Sequence, residues 1–224
     1  MPSTEGEHCL PYPTRRAGFV AIGAAATSLI FPVRAQQQPS RSNLPSTPNL
    51  EIDPYYPIQK PIDQNADLTR VKGRKGRAEG RTILLAARVL GSDGTPVRNA
   101  TIEIWQADSN GDYRSNFNGY GRIATDDRGA FSFTTIKPGR VPGGNGQLQA
   151  PHIAVNVFMR GLLKHLVTRV YFPDETSNAA DVILQSVRAE RRSTLIAAPI
   201  AGSAQDLAWN VVLQGEHETV FFDC

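Results

Sequence analysis

Downstream of residue 81 the chain is written in short apolar runs separated by turn residues, with almost no helical periodicity. Thr82–Leu90 (TILLAARVL) is an apolar run closed by Gly91-Ser92-Asp93-Gly94, a turn signal. Thr101–Ala107 (TIEIWQA) alternates apolar and polar with period two, which predicts a half-buried strand. Asp126-Asp127-Arg128-Gly129 turns into Ala130–Ile136, and Ile153–Phe158 and Leu166–Phe172 are two more strands with Gly161 between them. Trp209–Leu213 and Thr219–Phe222 flank Gln214-Gly215-Glu216-His217-Glu218 and predict a hairpin. Only Ala179–Ala198 looks helical, and no internal repeat is present. Short strands at regular spacing predict an all-β sandwich with little helix.

Upstream the text differs. Thr14-Arg15-Arg16 carries a twin arginine, Ala17–Phe31 is apolar, and Val33-Arg34-Ala35 is a small-x-small step. That order is the order of a secretory signal, and the paired arginines point to twin-arginine export. A membrane-anchoring helix is the alternative, but the stretch is short for a span. Residues 1–35 are therefore expected to be a signal peptide and the protein to be exported, to the periplasm or beyond. Residues 36–52, rich in Gln, Ser, Pro and Asn, predict a flexible arm, and 53–224 a single domain. Cleavage after Ala35 would remove Cys9 and leave Cys224 as the only thiol, so no internal disulfide is expected. In Asp53-Pro54-Tyr55-Tyr56-Pro57 the prolines hold the chain extended, so that Tyr55 and Tyr56 pack against the body or fill a site.

Composition removes whole classes. Sixteen prolines and 19 glycines among 224 residues, with 40% hydrophobic and 20% charged, exclude collagenous, coiled-coil and polytopic membrane chains. A net charge of +3 does not call for nucleic acid, and the basic run Arg70–Arg81 lacks the interleaved aromatics of a nucleic-acid site. There is no phosphate loop, nucleophile elbow or Cys-x-x-Cys, and His8, His152, His165 and His217 form no metal-binding pair by spacing.

Several segments together resemble the intradiol ring-cleavage dioxygenases. They are Ile104-Trp105-Gln106-Ala107-Asp108, Gly111-Asp112-Tyr113, Gly121-Arg122, Thr125-Asp126, Ile136-Lys137-Pro138-Gly139, Ala150-Pro151-His152-Ile153 and Thr168-Arg169-Val170-Tyr171-Phe172. The resemblance runs from about Asp53 to Cys224. It implies a sandwich of two mixed β-sheets and a non-haem ferric iron held by two tyrosinates and two histidines. Phenolate oxygen suits that hard cation. A catechol chelated to it opens between its hydroxylated carbons and takes up both atoms of dioxygen.

Carried over position by position, the ligand set is half present. Tyr113 and His152 fall on the first tyrosine and first histidine, but the second tyrosine position holds Val141 and the second histidine position Ala154. The arginine usual three residues before the first histidine is Gln149. These departures resemble the alpha-like chains of two-chain members of the family, as do Phe158-Met159-Arg160-Gly161-Leu162, Arg191–Ala197 and Gln214–Asp223. Asp53–Pro57 and Ala66–Thr69 look nearer to iron-holding or single-chain relatives. The resemblance implies no metal on this chain and a homologous iron-bearing beta-like subunit as partner, with Fe(III) mainly there. Protocatechuate or a related catechol would be the substrate. Arg160 would meet its carboxylate, and Tyr113, Tyr55 and Tyr56 would line the cleft. Two alternatives stay open. One is a self-sufficient ferric enzyme with a rearranged ligand set, Tyr120 replacing a lost ligand. The other is an exported aromatic- or carbohydrate-binding module.

Overall fold

Every second side chain of strand β1 (Thr82–Leu90) is buried, namely Ile83, Leu85, Ala87 and Val89, as its alternation requires. A computed structural model gives the fold and describes residues 56–57, 65–70, 76–144, 146–203 and 205–223. The expected signal peptide and arm, Tyr55 and both cysteines lie outside the described residues. The other strands are β2 (Thr101–Trp105), β3 (Tyr120–Ala124), β4 (Ala130–Ile136), β5 (Val141–Pro142), β6 (Leu148–Gln149), β7 (His152–Phe158), β8 (Leu166–Tyr171), β9 (Ala198–Pro199) and β10 (Leu207–Val212).

One sheet has the order β4-β1-β10-β9 and is mixed: β1 and β10 run parallel, and the other pairs antiparallel. The second, β3-β2-β7-β8, is antiparallel between its strands, with a parallel bridge from Tyr171 to Ile196 beyond β8. Strands β5 and β6 form a separate ribbon. Ile83, Leu85, Val89, Phe133, Trp209 and Val211 of the first sheet meet Ile102, Ile104, Ile153, Val155, Val157 and Val170 of the second in one apolar core. This is the β-sandwich the strand spacing predicts.

Two ties fix the sheets against each other. Gln106, buried just after β2, donates to the Ile136 carbonyl at 2.8 Å and accepts from the Thr135 hydroxyl at 2.9 Å, both at the end of β4. Along the same edge, Asn65 bridges Arg122 of β3 and Asp67 bridges Thr134 of β4, and Leu68 is buried beside them. Gly121 makes room for that side chain, since a Cβ there would come within 2.8 Å of both Leu68 and Phe133.

Two expectations change. The region expected to be helical breaks into a 3₁₀ segment (Thr176–Ala180), a five-residue helix α1 (Val182–Ser186) and a second 3₁₀ segment (Ala189–Leu195). Asp181 causes the first break. Its carboxylate caps α1 through the Leu184 amide at 2.8 Å and also accepts from the Ala150 amide at 2.7 Å, which pins the chain there. The predicted C-terminal hairpin closes its turn, Thr219 N–H to Val212 carbonyl at 2.9 Å, but does not continue along β10. Phe222 instead bridges Val167 of β8, where it and Val220 are buried with Tyr171, Leu184 and Leu195.

Candidate functional site

Strand β2 was expected to be half buried, and it is buried on both faces. Ile102 and Ile104 point into the core, while Glu103 and Trp105 point to the other side of the sheet and are only 3% and 7% exposed. Strand β7 repeats this, with Ile153, Val155 and Val157 inward and His152, Ala154 and Asn156 buried outward. A second buried face on an antiparallel sheet needs a cover, and that cover brings the resemblance-bearing residues together.

The first covering piece is the loop after β2. The Asp108 carboxylate accepts from the amides of Asn110 and Asp112, both at 2.9 Å, and its carbonyl accepts from the amides of Gly111 and Gly139. Gly111 has φ +84°, and a Cβ there would fall 1.9 Å from the Arg140 carbonyl oxygen. Only glycine fits that approach. The result delivers Tyr113 flat onto Trp105, with ring centroids 5.6 Å apart and planes 20° apart. The second piece is Tyr56, edge-on to both Trp105 and Tyr120 at 6.3 Å. Its hydroxyl donates to Glu103 and accepts from the Asn156 amide at 2.9 Å. Glu103 also faces the Arg122 guanidinium at 3.7 Å. Burial, then the Glu103 carboxylate, push the phenols of Tyr56 and Tyr120 above the ordinary tyrosine range.

The register defines two rows across this face. Tyr120, Trp105, Ala154 and Arg169 stand side by side, and Arg122, Glu103, Asn156 and Val167 form the next row. His152 stands opposite Tyr171, its ring 5.7 Å away, with Nδ1 2.7 Å from the Ala150 carbonyl. Val141 is paired with Gln149 in the small ribbon. Gln149 accepts from the buried Arg169 at 2.6 Å, and Arg169 lies opposite Ala154. The four positions Tyr113, Val141, His152 and Ala154 therefore gather around one patch.

That patch does not suit a ferric ion. Valine and alanine offer no donor atom, and the side chain between them is a guanidinium, a permanent cation. Tyr120, the substitute ligand considered above, is 1% exposed and holds its proton more firmly than a free phenol.

Arg160 is elsewhere. It follows the far end of β7, in the exposed turn before Gly161, whose φ is +92°. From His152 to Phe158 the strand climbs about 20 Å at 3.4 Å per residue, so Arg160 and Tyr113 are not brought together. Sequence reasoning missed Glu103, Trp105, Asn156 and Arg169 as members of the face. For β2 and β7 the signal was available, since polar or large residues alternate there with a wholly aliphatic phase; for Arg169 it was weaker, because the other phase of β8 includes Thr168.

The family described as dioxygenase (Dioxygenase_C) matches residues 52–215. The protocatechuate 3,4-dioxygenase alpha chain of Pseudomonas putida is 38% identical over 195 residues, covering 80% of this chain and 97% of that one. The beta chain of the Burkholderia cepacia enzyme is 33% identical over 204 residues, covering 81% and 86%. Among solved structures, the dioxygenase domain of a dioxygenase carbohydrate-binding protein fusion from Streptomyces sp. SirexAA-E superposes with a TM-score of 0.58 at 26% identity, covering 75% of this chain and 98% of that one. The chain belongs to the intradiol dioxygenase family.

Proposed function

We propose that this chain is the alpha-like half of an exported protocatechuate 3,4-type dioxygenase and completes the active site of an iron-bearing beta-like chain. The observation that carries the reading is the separation within β7. The chain's own ligand-position patch is buried at one end, and Arg160, whose guanidinium suits a substrate carboxylate, is exposed at the other. Arg160 on that turn is out of reach of its own patch, which supports a role at the site of a second chain. Relatives of both kinds, alpha and beta, match most of this sequence.

In this reading a non-haem ferric iron held by the partner would supply the activation of the catechol ring toward dioxygen. This chain's residues bind and orient. The planar guanidinium of Arg160 presents paired donors to the carboxylate of a dihydroxybenzoate and fixes which ring edge faces the reacting centre. Tyr113 and the Tyr55-Tyr56 segment serve as walls of the cleft on this chain. The Arg15-Arg16 signal would carry the folded pair across the membrane.

The test is co-expression with an iron-bearing homologue and Arg160→Ala. Loss of charge-assisted hydrogen bonds worth about 1.5–3 kcal/mol lowers kcat/KM for protocatechuate about 10- to 100-fold. The loss for catechol, which has no carboxylate, is much smaller. Equal losses on both substrates, or none, would remove Arg160 from the site. Signal function is read by fractionation after Arg15→Lys and Arg16→Lys, which should hold the protein in the cytoplasm.

A further inference from the structure

The covered face contains a charge that neither the fold nor the proposed function explains. Arg169 is 2% exposed, on the outward face of β8, and the other large fully buried side chains among the described residues are apolar or aromatic. A buried guanidinium is costly unless it is held for a purpose. Its position is specific. It is the cross-strand partner of Ala154, and its Nη1 donates to Gln149, which is the cross-strand partner of Val141. One guanidinium thus links the neighbours of both substituted ligand positions. Directly paired residues carry Cβ atoms about 5 Å apart, so the cation lies against the patch that Tyr113 and His152 also border. Two residues along β8, the Tyr171 hydroxyl is hydrogen-bonded to Arg169 and donates to the buried Asp181 at 3.1 Å, so one phenol links the guanidinium to a carboxylate. The arginine expected three residues before His152 is Gln149, and the guanidinium comes from β8 instead.

We propose that Arg169 is a built-in cation standing in for the metal. It fills the positive-charge position of the patch and repels multivalent cations, so the chain stays metal-free beside an iron-loaded partner. The inference rests on the alpha-like reading above and adds that donor loss alone does not account for metal exclusion. Because a guanidinium keeps its proton at all working pH values, the exclusion cannot be titrated away.

The test uses the full-length chain purified alone, incubated with ferrous salt in air and desalted. Iron per chain and the visible phenolate-to-iron absorption are then measured. Three variants share the restored donors Val141→Tyr and Ala154→His: one keeps Arg169, one adds Arg169→Gln, one adds Arg169→Lys. The Gln variant is expected to hold at least tenfold more iron than the other two, which stay near the parent. Equal iron in the Arg169 and Gln variants overturns the proposal, as does equal iron in the Lys and Gln variants. A parent chain that is itself iron-loaded overturns the alpha-like reading, a separate result. If the triple variants fail to fold, the single variants Arg169→Gln and Arg169→Lys carry the same comparison with Co²⁺ in equilibrium dialysis. At least threefold tighter binding by Gln than by Lys is expected, and equal binding overturns the proposal.

Discussion

The two ends of strand β7 have been put to opposite uses. At the His152 end, side chains on both faces are buried, and on the outward face Ala154 clusters with Trp105 and Tyr120, with Tyr56 and Tyr113 packed against them. At the Arg160 end the chain turns in the open, and Leu163, three residues on, is fully solvent-exposed. In an enzyme of this family the interior end would be the reactive one. In the function proposed above, the interior is structural and the substrate-facing chemistry belongs to the tip. A residue's family position therefore does not tell whether it acts. What decides is whether donors remain around it and what charge stands beside it.

The contrast predicts a clean separation of stability from activity. Ile153→Ala, in the core beside His152, removes a side chain that is 1% exposed and should cost about 2–5 kcal/mol. At about 2–4 °C per kcal/mol for a domain of this size, differential scanning calorimetry should show a clear drop in midpoint. Arg160→Ala, whose activity loss is described above, should leave that midpoint within about 1 °C. If Arg160→Ala melts as early as Ile153→Ala, the tip is a structural element and the contrast fails. Tyr56→Phe is intermediate. It deletes the donor to Glu103 and the acceptor for Asn156 and should cost about 1–3 kcal/mol, because the carboxylate stays buried. Adding Glu103→Gln should recover part of that loss in a double-mutant cycle, and strict additivity would show that the two are not coupled.

Much of this was legible in the residues. The apolar run Thr82–Leu90 and the turn at Gly91–Gly94 specify β1 and its end, and the structure adds which of its faces is the buried one. Strand β2 misled because Glu103 reads as a solvent-facing residue. Its burial depends on Tyr56, 47 positions away, and on Arg122, neither of which a local pattern contains. The motif residues told where the patch is, and the structure explains them individually: Gln106 ties the sheets, Asp108 folds the loop, and Gly139 lets that loop dock. Arg169 was quoted only as part of a matching segment. Its meaning depends on which residues lie opposite Ala154 and Val141, and that is a matter of register.

The smallest effect is nil at neutral pH and appears only in alkali. The phenols of Tyr56 and Tyr120 on the covered face, and of Tyr171 beside it, are held above the ordinary range. Burial is the main cause, with Glu103 next for the first two and Asp181 contributing for the third against the opposing pull of Arg169. In the unfolded chain these groups ionise near pH 10. Below that both states are protonated and the contribution to stability is complete. Above it the unfolded chain releases protons that the folded chain keeps, so stability falls with pH until the folded phenols ionise too. Melting midpoints taken between pH 8 and 11 should be level at first and then decline, and phenolate absorbance from these tyrosines should rise only with unfolding. Tyr56→Phe should make the decline shallower, while Arg160→Ala should not alter it. A folded protein whose buried-face tyrosines titrate near pH 10 would mean that the His152 end of β7 is as open as the Arg160 end.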